Sequence, residues 1–169
     1  MNTAILFVFG FLILIEPISG SEKLYEIRRL YFSQNSSTEN FEKLQQVIKA
    51  TKDLNDPIIT AYRGATMMIS ASHAMNPISK WRLFVSGRDS LEKAVVMDNK
   101  NTEIRFLRFS IQSNAPLFLG YNGNIQEDKK AIISGISSIG DFYTRSRIAE
   151  YMKRSVYCNE EDKRRLNDE

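Results

Sequence analysis

Two dipeptides, Asp56-Pro57 and Asn76-Pro77, constrain this chain more than any other feature. A side-chain oxygen that accepts from the first free amides, followed by a proline at the first helical position, starts a helix. Only four prolines and eight glycines occur in 169 residues, so little else interrupts helical stretches. After Pro57, the residues Ala61, Gly64, Ala65, Met68, Ala71, Ser72 and Met75 recur at helical spacing. So many small side chains on one stripe let a second helix approach closely. Met67 and Ile69 lie off that stripe, so this helix is expected to be covered on more than one side and to form the centre of the fold.

The same pattern runs along the chain. Residues 22–33 carry Leu24, Ile27 and Leu30 at intervals of three, and Ser36 with Glu39 has capping-box spacing before Phe41, Leu44, Val47 and Ile48. Ile78, Trp81, Val85, Leu91 and Val95 follow Pro77, with Gly87 among them. Asn101 ends a polar turn from Asp98 and caps a helix over about 102–113; residues 115–124, with Pro116 and Asn122-Gly123, read as the one substantial loop. Ile132, Ile133 and Ile136 mark a helix over 125–139, and Asp141 caps another through Phe142, Arg145, Ala149, Met152 and Val156. Asn159 to Glu169 reads as a polar tail or frayed helix. The short apolar run Leu117 to Tyr121 lacks a partner strand. The expected fold is all-α, six or seven helices in antiparallel hairpins, either a compact bundle or a short repeat-like array.

Ahead of this domain, Ala4 to Ile15 is an uncharged, nearly all-apolar run of 12 residues, closed by Glu16-Pro17 and followed by Ser19-Gly20-Ser21. That is the length of a signal-peptide core and falls short of the roughly 20 residues that span a bilayer. The reading is a signal peptide over 1–21, cleaved after Gly20 or Ser21, a single helical domain over 22–158 and a tail over 159–169. Removing residues 1–21 takes away Glu16 and no base, leaving 148 residues and moving the formal charge from +3 to +4. No later segment is apolar enough to span a membrane, and the expected destination is periplasmic or secreted. In an oxidising compartment the only cysteine, Cys158, is either a free thiol or the point at which two copies would be joined as a dimer.

The run Asn101 to Gln112 (NTEIRFLRFSIQ) is followed by Ala115-Pro116, Leu119-Gly120-Tyr121 and Glu127-Asp128-Lys129-Lys130, and preceded by Tyr62-Arg63-Gly64-Ala65. In this order the segments resemble a family of small exported bacterial α-helical proteins of unknown function. The resemblance implies export and a helical fold, and no activity. Locally, Gly87 to Ala94 and then Asp98 to Asn101 resemble a tetratricopeptide helix hairpin, with Asn99 near the position of that repeat's proline.

One histidine and one cysteine exclude a His/Cys zinc site built by this chain alone. No phosphate loop, calcium loop or zinc spacing occurs, so no cofactor is implied. Ser70 and Ser72 beside His73 point in different directions on a helix and make no hydrolase triad. Basic residues gather at 143–165, but Glu150, Glu160, Glu161 and Asp162 interrupt them. A solvated face or weak contact with anionic envelope material fits better than nucleic acid.

The helix over 102–113 carries the sharpest candidate. At 100° per residue, Ile104, Leu107 and Ile111 share a core face, with Arg108, Gln112 and Arg105 about 40°, 80° and 100° from Ile104. These three are a candidate ligand-gripping edge for a carboxylate or phosphate, with Tyr62, Arg63 or Tyr121, or Glu103, as further members. The alternative is that each arginine pairs with an acid of a neighbouring helix, Glu92 or Asp128. The hairpin geometry separates Tyr62 and Arg63 from Lys80, and Tyr121 either edges a cleft or packs down as a lid. Without a catalytic constellation, the leading expectation is a non-enzymatic envelope module presenting a concave face to a protein or peptide partner; the rival is a small-ligand carrier or enzyme using the arginine edge.

Overall fold

The computed structural model describes residues 20–34, 37–51 and 55–167. The apolar run at 4–15, read above as the core of a signal peptide, and Ser36 lie outside them. Among the described residues there are eight α-helices and no strand: α1 (Gly20–Ser33), α2 (Thr38–Ala50), α3 (Pro57–His73), α4 (Pro77–Met97), α5 (Thr102–Asn114), α6 (Ile125–Gly135), α7 (Phe142–Arg154) and α8 (Glu160–Arg165). The chain is all-α. Seven helices match the expected series; the eighth is the polar tail, where Asn159 and Asp162 form a reciprocal capping box and Leu166 is buried.

The predicted caps act where they fall within the described residues. Asp56, Asn76 and Asn101 each accept from two amides of the following turn, and Asp141 accepts from Thr144. At α2 the observed cap is Ser37, which accepts from Asn40 N at 3.1 Å. Several boundaries fall short of the apolar periodicity. α3 ends at His73, leaving Met75 exposed in the turn; α7 ends at Arg154, leaving Val156 exposed; and α6 gives way at Gly135 to a 3₁₀ turn over Ile136–Ser138. A second 3₁₀ turn, Leu117–Leu119, lies within the expected loop and is closed by Gly120 at φ 62°, where glycine meets no Cβ penalty.

α3 and α4 form the tightest pair. A Cβ on Gly64 would lie 2.7 Å from Gly87 O and 2.7 Å from Leu91 N, so the two backbones touch there. α3 also packs against α1, α2 and α5, as its small stripe and off-stripe residues predict. α5 shares the centre, with Ile104, Phe106, Leu107 and Phe109 all buried. Phe32 of α1 stacks on Phe106 of α5 and meets Tyr143 of α7 edge-on, so helices distant in sequence meet. An array would leave each hairpin touching only its neighbours. These contacts close the helices into a bundle.

Candidate functional site

The arginine edge of α5 faces inward. Arg108 is 4% exposed, and all three of its guanidinium nitrogens are used. Nε and Nη2 donate to the two oxygens of fully buried Asp128 on α6 at 2.8 Å each, and Nη1 donates to Glu92 of α4 at 2.8 Å. Burial opposes the charge of Arg108, but the bonds to Asp128 and Glu92 outweigh it and hold its pKa above the ordinary value. Arg105 donates through Nε to Asn99 O, and through Nη1 to Glu127 at 2.7 Å and Asp128 at 2.9 Å. Three carboxylates thus meet two guanidinium groups, an excess of negative charge that does not attract an anionic ligand.

The other candidates serve the same packing. Tyr121 lies down on the core, donates to Glu92 at 2.6 Å and meets Phe84 edge-on; burial and that bond raise its pKa. Gln112 holds the loop after α5 by accepting from Asn124 N at 3.0 Å and donating to its side chain at 3.2 Å. Tyr62 is fully buried and donates to Glu103 at 2.6 Å, while Arg28 grips the same carboxylate with bonds of 2.8 and 2.6 Å. Burial and Glu103 together push the Tyr62 pKa up. Arg63 donates to Thr51 O at 2.7 Å across the α2–α3 connection. Arg105, Arg108, Gln112 and Tyr121 are therefore joined in one network, Tyr62 belongs to a second, and Arg63 stands apart.

Cys158 is buried, and burial together with nearby Asp162 raises its thiol pKa, so joining two copies through it requires that region to open. His73 is exposed and lies against Phe41. Among the described residues no group of His, Cys, Asp and Glu is placed to hold a metal ion, and no helix is long and apolar enough to cross a membrane.

What the periodicity misses is an open apolar groove of about 480 Å³ between the end of α3, the start of α4 and the 3₁₀ turn after α5. Met68 and Phe84 form its inner wall, and Trp81 and Phe118 its outer edges. Trp81 is 60% exposed and Phe118 86%, and Ile78, Leu117 and Met75 are also exposed. Ile78 and Trp81 have core-like spacing, but no other described element covers that side of α4. Ile111, expected on the core face of α5, is only half-buried and lines this groove. The groove belongs to two segments, residues 57–88 and 104–126, that contain no Asp or Glu, while Lys80 lines it and Arg82 is exposed nearby.

The fold and groove define an all-α helical-hairpin bundle with an uncovered apolar, acid-free face. Comparison with protein-family models, curated proteins and solved structures finds no match to the chain.

Proposed function

We propose that this chain is a non-enzymatic interaction module of the cell envelope, exported to the periplasm or secreted, that docks an amphipathic, acid-bearing segment of a partner protein. The observation that carries the reading is the open groove edged by exposed Trp81 and Phe118 within acid-free segments. Large exposed apolar patches mark docking surfaces, and burying an aromatic anchor in a partner supplies most of the affinity at such sites. Lys80 and the surrounding absence of acids favour carboxylates on the flank of the incoming segment over basic residues. The likeness of residues 101–121 to small exported helical proteins and the apolar run at 4–15 support an encounter outside the cytoplasm.

Trp81 is the only tryptophan, so its fluorescence reports the groove alone. A designed helical peptide with leucines on one face and glutamates flanking them should shift the emission to the blue and protect it from acrylamide. A lysine-flanked version should bind less tightly. Phe118→Ala should weaken the glutamate peptide at least about tenfold without changing the far-UV circular dichroism. Equal binding of both peptides, or burial of Trp81 by anionic vesicles but by neither peptide, would overturn the reading. A reporter active only outside the cytoplasm, fused after Glu169, tests the address.

A further inference from the structure

The charges of α4 run in an order that a single helix does not favour. Acids in the first turn and bases in the last stabilise a helix, because free amides leave its start positive and free carbonyls leave its end negative. α2, α5, α6 and α8 begin with acids, and α2, α7 and α8 end with bases. α4 runs the other way. It carries Lys80, Arg82 and Arg88 before its first acid, then Asp89, Glu92 and the capping residue Asp98 against Lys93.

At 100° per residue, Ile78, Arg82, Asp89, Lys93 and Val96 fall within about 60° of one another, opposite the buried Leu91 and Ala94. This stripe faces outward: Ile78 is 71% exposed and Val96 83%, and the three charged residues between them are exposed too. Half-buried Val85 lies beside it. Among the described residues Arg82 has no acidic partner, and Asp89 pairs only with its neighbour Arg88 at 2.9 Å. Glu92, at the edge of the stripe, is already held by Arg108 and Tyr121.

The stripe is complementary to itself when reversed. A two-fold axis across α4 between Val85 and Ser86 lays a second copy of the helix antiparallel on the first. Arg82 of each copy then faces Asp89 of the other, since the two residues are equally far from the axis. Met75 and Ile78 meet Val96 and the stem of Lys93, so exposed apolar groups at one end cover those at the other. The basic start of each α4 lies beside the acidic end of its partner, which turns an unfavourable order within one copy into a favourable one between two. A parallel pairing sets Arg82 against Arg82 and is repelled. A closed two-fold interface requires one patch that matches itself, and this one does.

We propose that the protein forms a two-fold homodimer through this face of α4, held by reciprocal Arg82–Asp89 pairs and by the apolar contacts of Ile78 and Val96. The proposal does not depend on the peptide-docking reading, because Trp81 lies about 80° round the helix from Asp89, on the side of the groove. Nor does it use Cys158, which is buried.

Sedimentation equilibrium of the purified protein, with a reductant present and at concentrations up to several hundred micromolar, tests it. The wild type should show a reversible monomer–dimer equilibrium. Arg82→Asp and Asp89→Arg should each weaken the dimer at least about tenfold, since each sets like charges face to face at two places. An equimolar mixture of the two variants should dimerise again, because each supplies the charges the other lacks. Thermal melts of the dilute variants report separately whether the fold is intact. A wild type that stays monomeric, a dimer lost on reduction, folded single variants that dimerise as well as wild type, or a mixture that stays monomeric would each overturn the proposal. Asp89→Arg should still bind the glutamate peptide at Trp81, which keeps failure here distinct from failure of the groove.

Discussion

The contact between α3 and α4 makes a prediction with a definite sign. A Cβ built on Gly64 meets three backbone atoms, Gly87 O and Leu91 N at 2.7 Å and Leu91 Cα at 3.1 Å, and none of these can swing away as a side chain would. Ordinary contact begins near 3.4 Å, so Gly64→Ala must push the helices apart by about 0.7 Å at their crossing. A gap of that order forfeits a quarter to a half of the dispersion attraction across the separated surfaces. Overpacking of this kind costs about 1–3 kcal/mol, and rigid backbone on both sides puts the cost near the upper end. Alanine returns about 1 kcal/mol through its better helix propensity, so the net loss is about 2 kcal/mol. For a chain of this length that is roughly 4–8 °C in melting temperature. Gly123→Ala, whose Cβ meets nothing within 4 Å, is the control and should stay within about 0.5 kcal/mol of wild type. Gly64→Ala combined with Gly87→Ala should cost less than the sum, because the second methyl enters a gap the first has opened. Thermal circular dichroism at 222 nm reads wild type, the three single variants and the double variant. If Gly64→Ala melts at or above wild type, the two backbones are not in contact and the central feature of the fold is wrong.

Other consequences follow from the buried polar groups. Asp128→Asn removes the buried carboxylate that Arg108 grips through two nitrogens, leaving Glu92 as its anionic partner, and should destabilise by about 2–3 kcal/mol in urea unfolding, whereas Arg108→Met with Asp128→Leu should recover part of that loss; a cost under about 1 kcal/mol for Asp128→Asn would mean the pair is hydrated. Burial pushes the Tyr31 pKa up to about 12 and raises those of Tyr62 and Tyr121. A folded-state pKa above the unfolded value of about 10 gives stability that is complete below pH 10 and lost as pH climbs towards 12. Urea midpoints should therefore fall steeply from pH 10 upward, and Tyr31→Phe should flatten the fall; a midpoint constant to pH 11.5 would contradict the buried placement of these hydroxyls. Native Cys158 should react slowly with Ellman's reagent at pH 8 and rapidly once unfolded, since burial both hides the thiol and raises its pKa. Fast labelling of the folded protein would show that the turn carrying it stands open.

Local chemistry explains what was legible in the sequence. A cap needs only a side-chain oxygen and the next few amides, so Asp56, Asn76, Asn101 and Asp141 announce their helices without reference to the rest of the chain. The arginine edge of α5 follows from the same 100° step, and Glu92 and Asp128 stand among the acids near enough in sequence to be named as its partners. Periodicity fails at a different question. It says which side chains share a face, not whether anything covers that face, so Ile78 and Trp81 look identical to the buried Leu91 and Val95 until the neighbouring helices are placed. Pairings across long sequence separations are invisible for the same reason. Arg28 and Glu103 are 75 residues apart, and no local spacing joins them. The proposed docking groove lies in this second class, because it exists only where α4 is uncovered near its start. The arginines that look most like a site are the most fully used by the fold. The proposed recognition therefore rests on groups the fold leaves uncovered, Trp81 and Phe118, rather than on the arginines it has already paired.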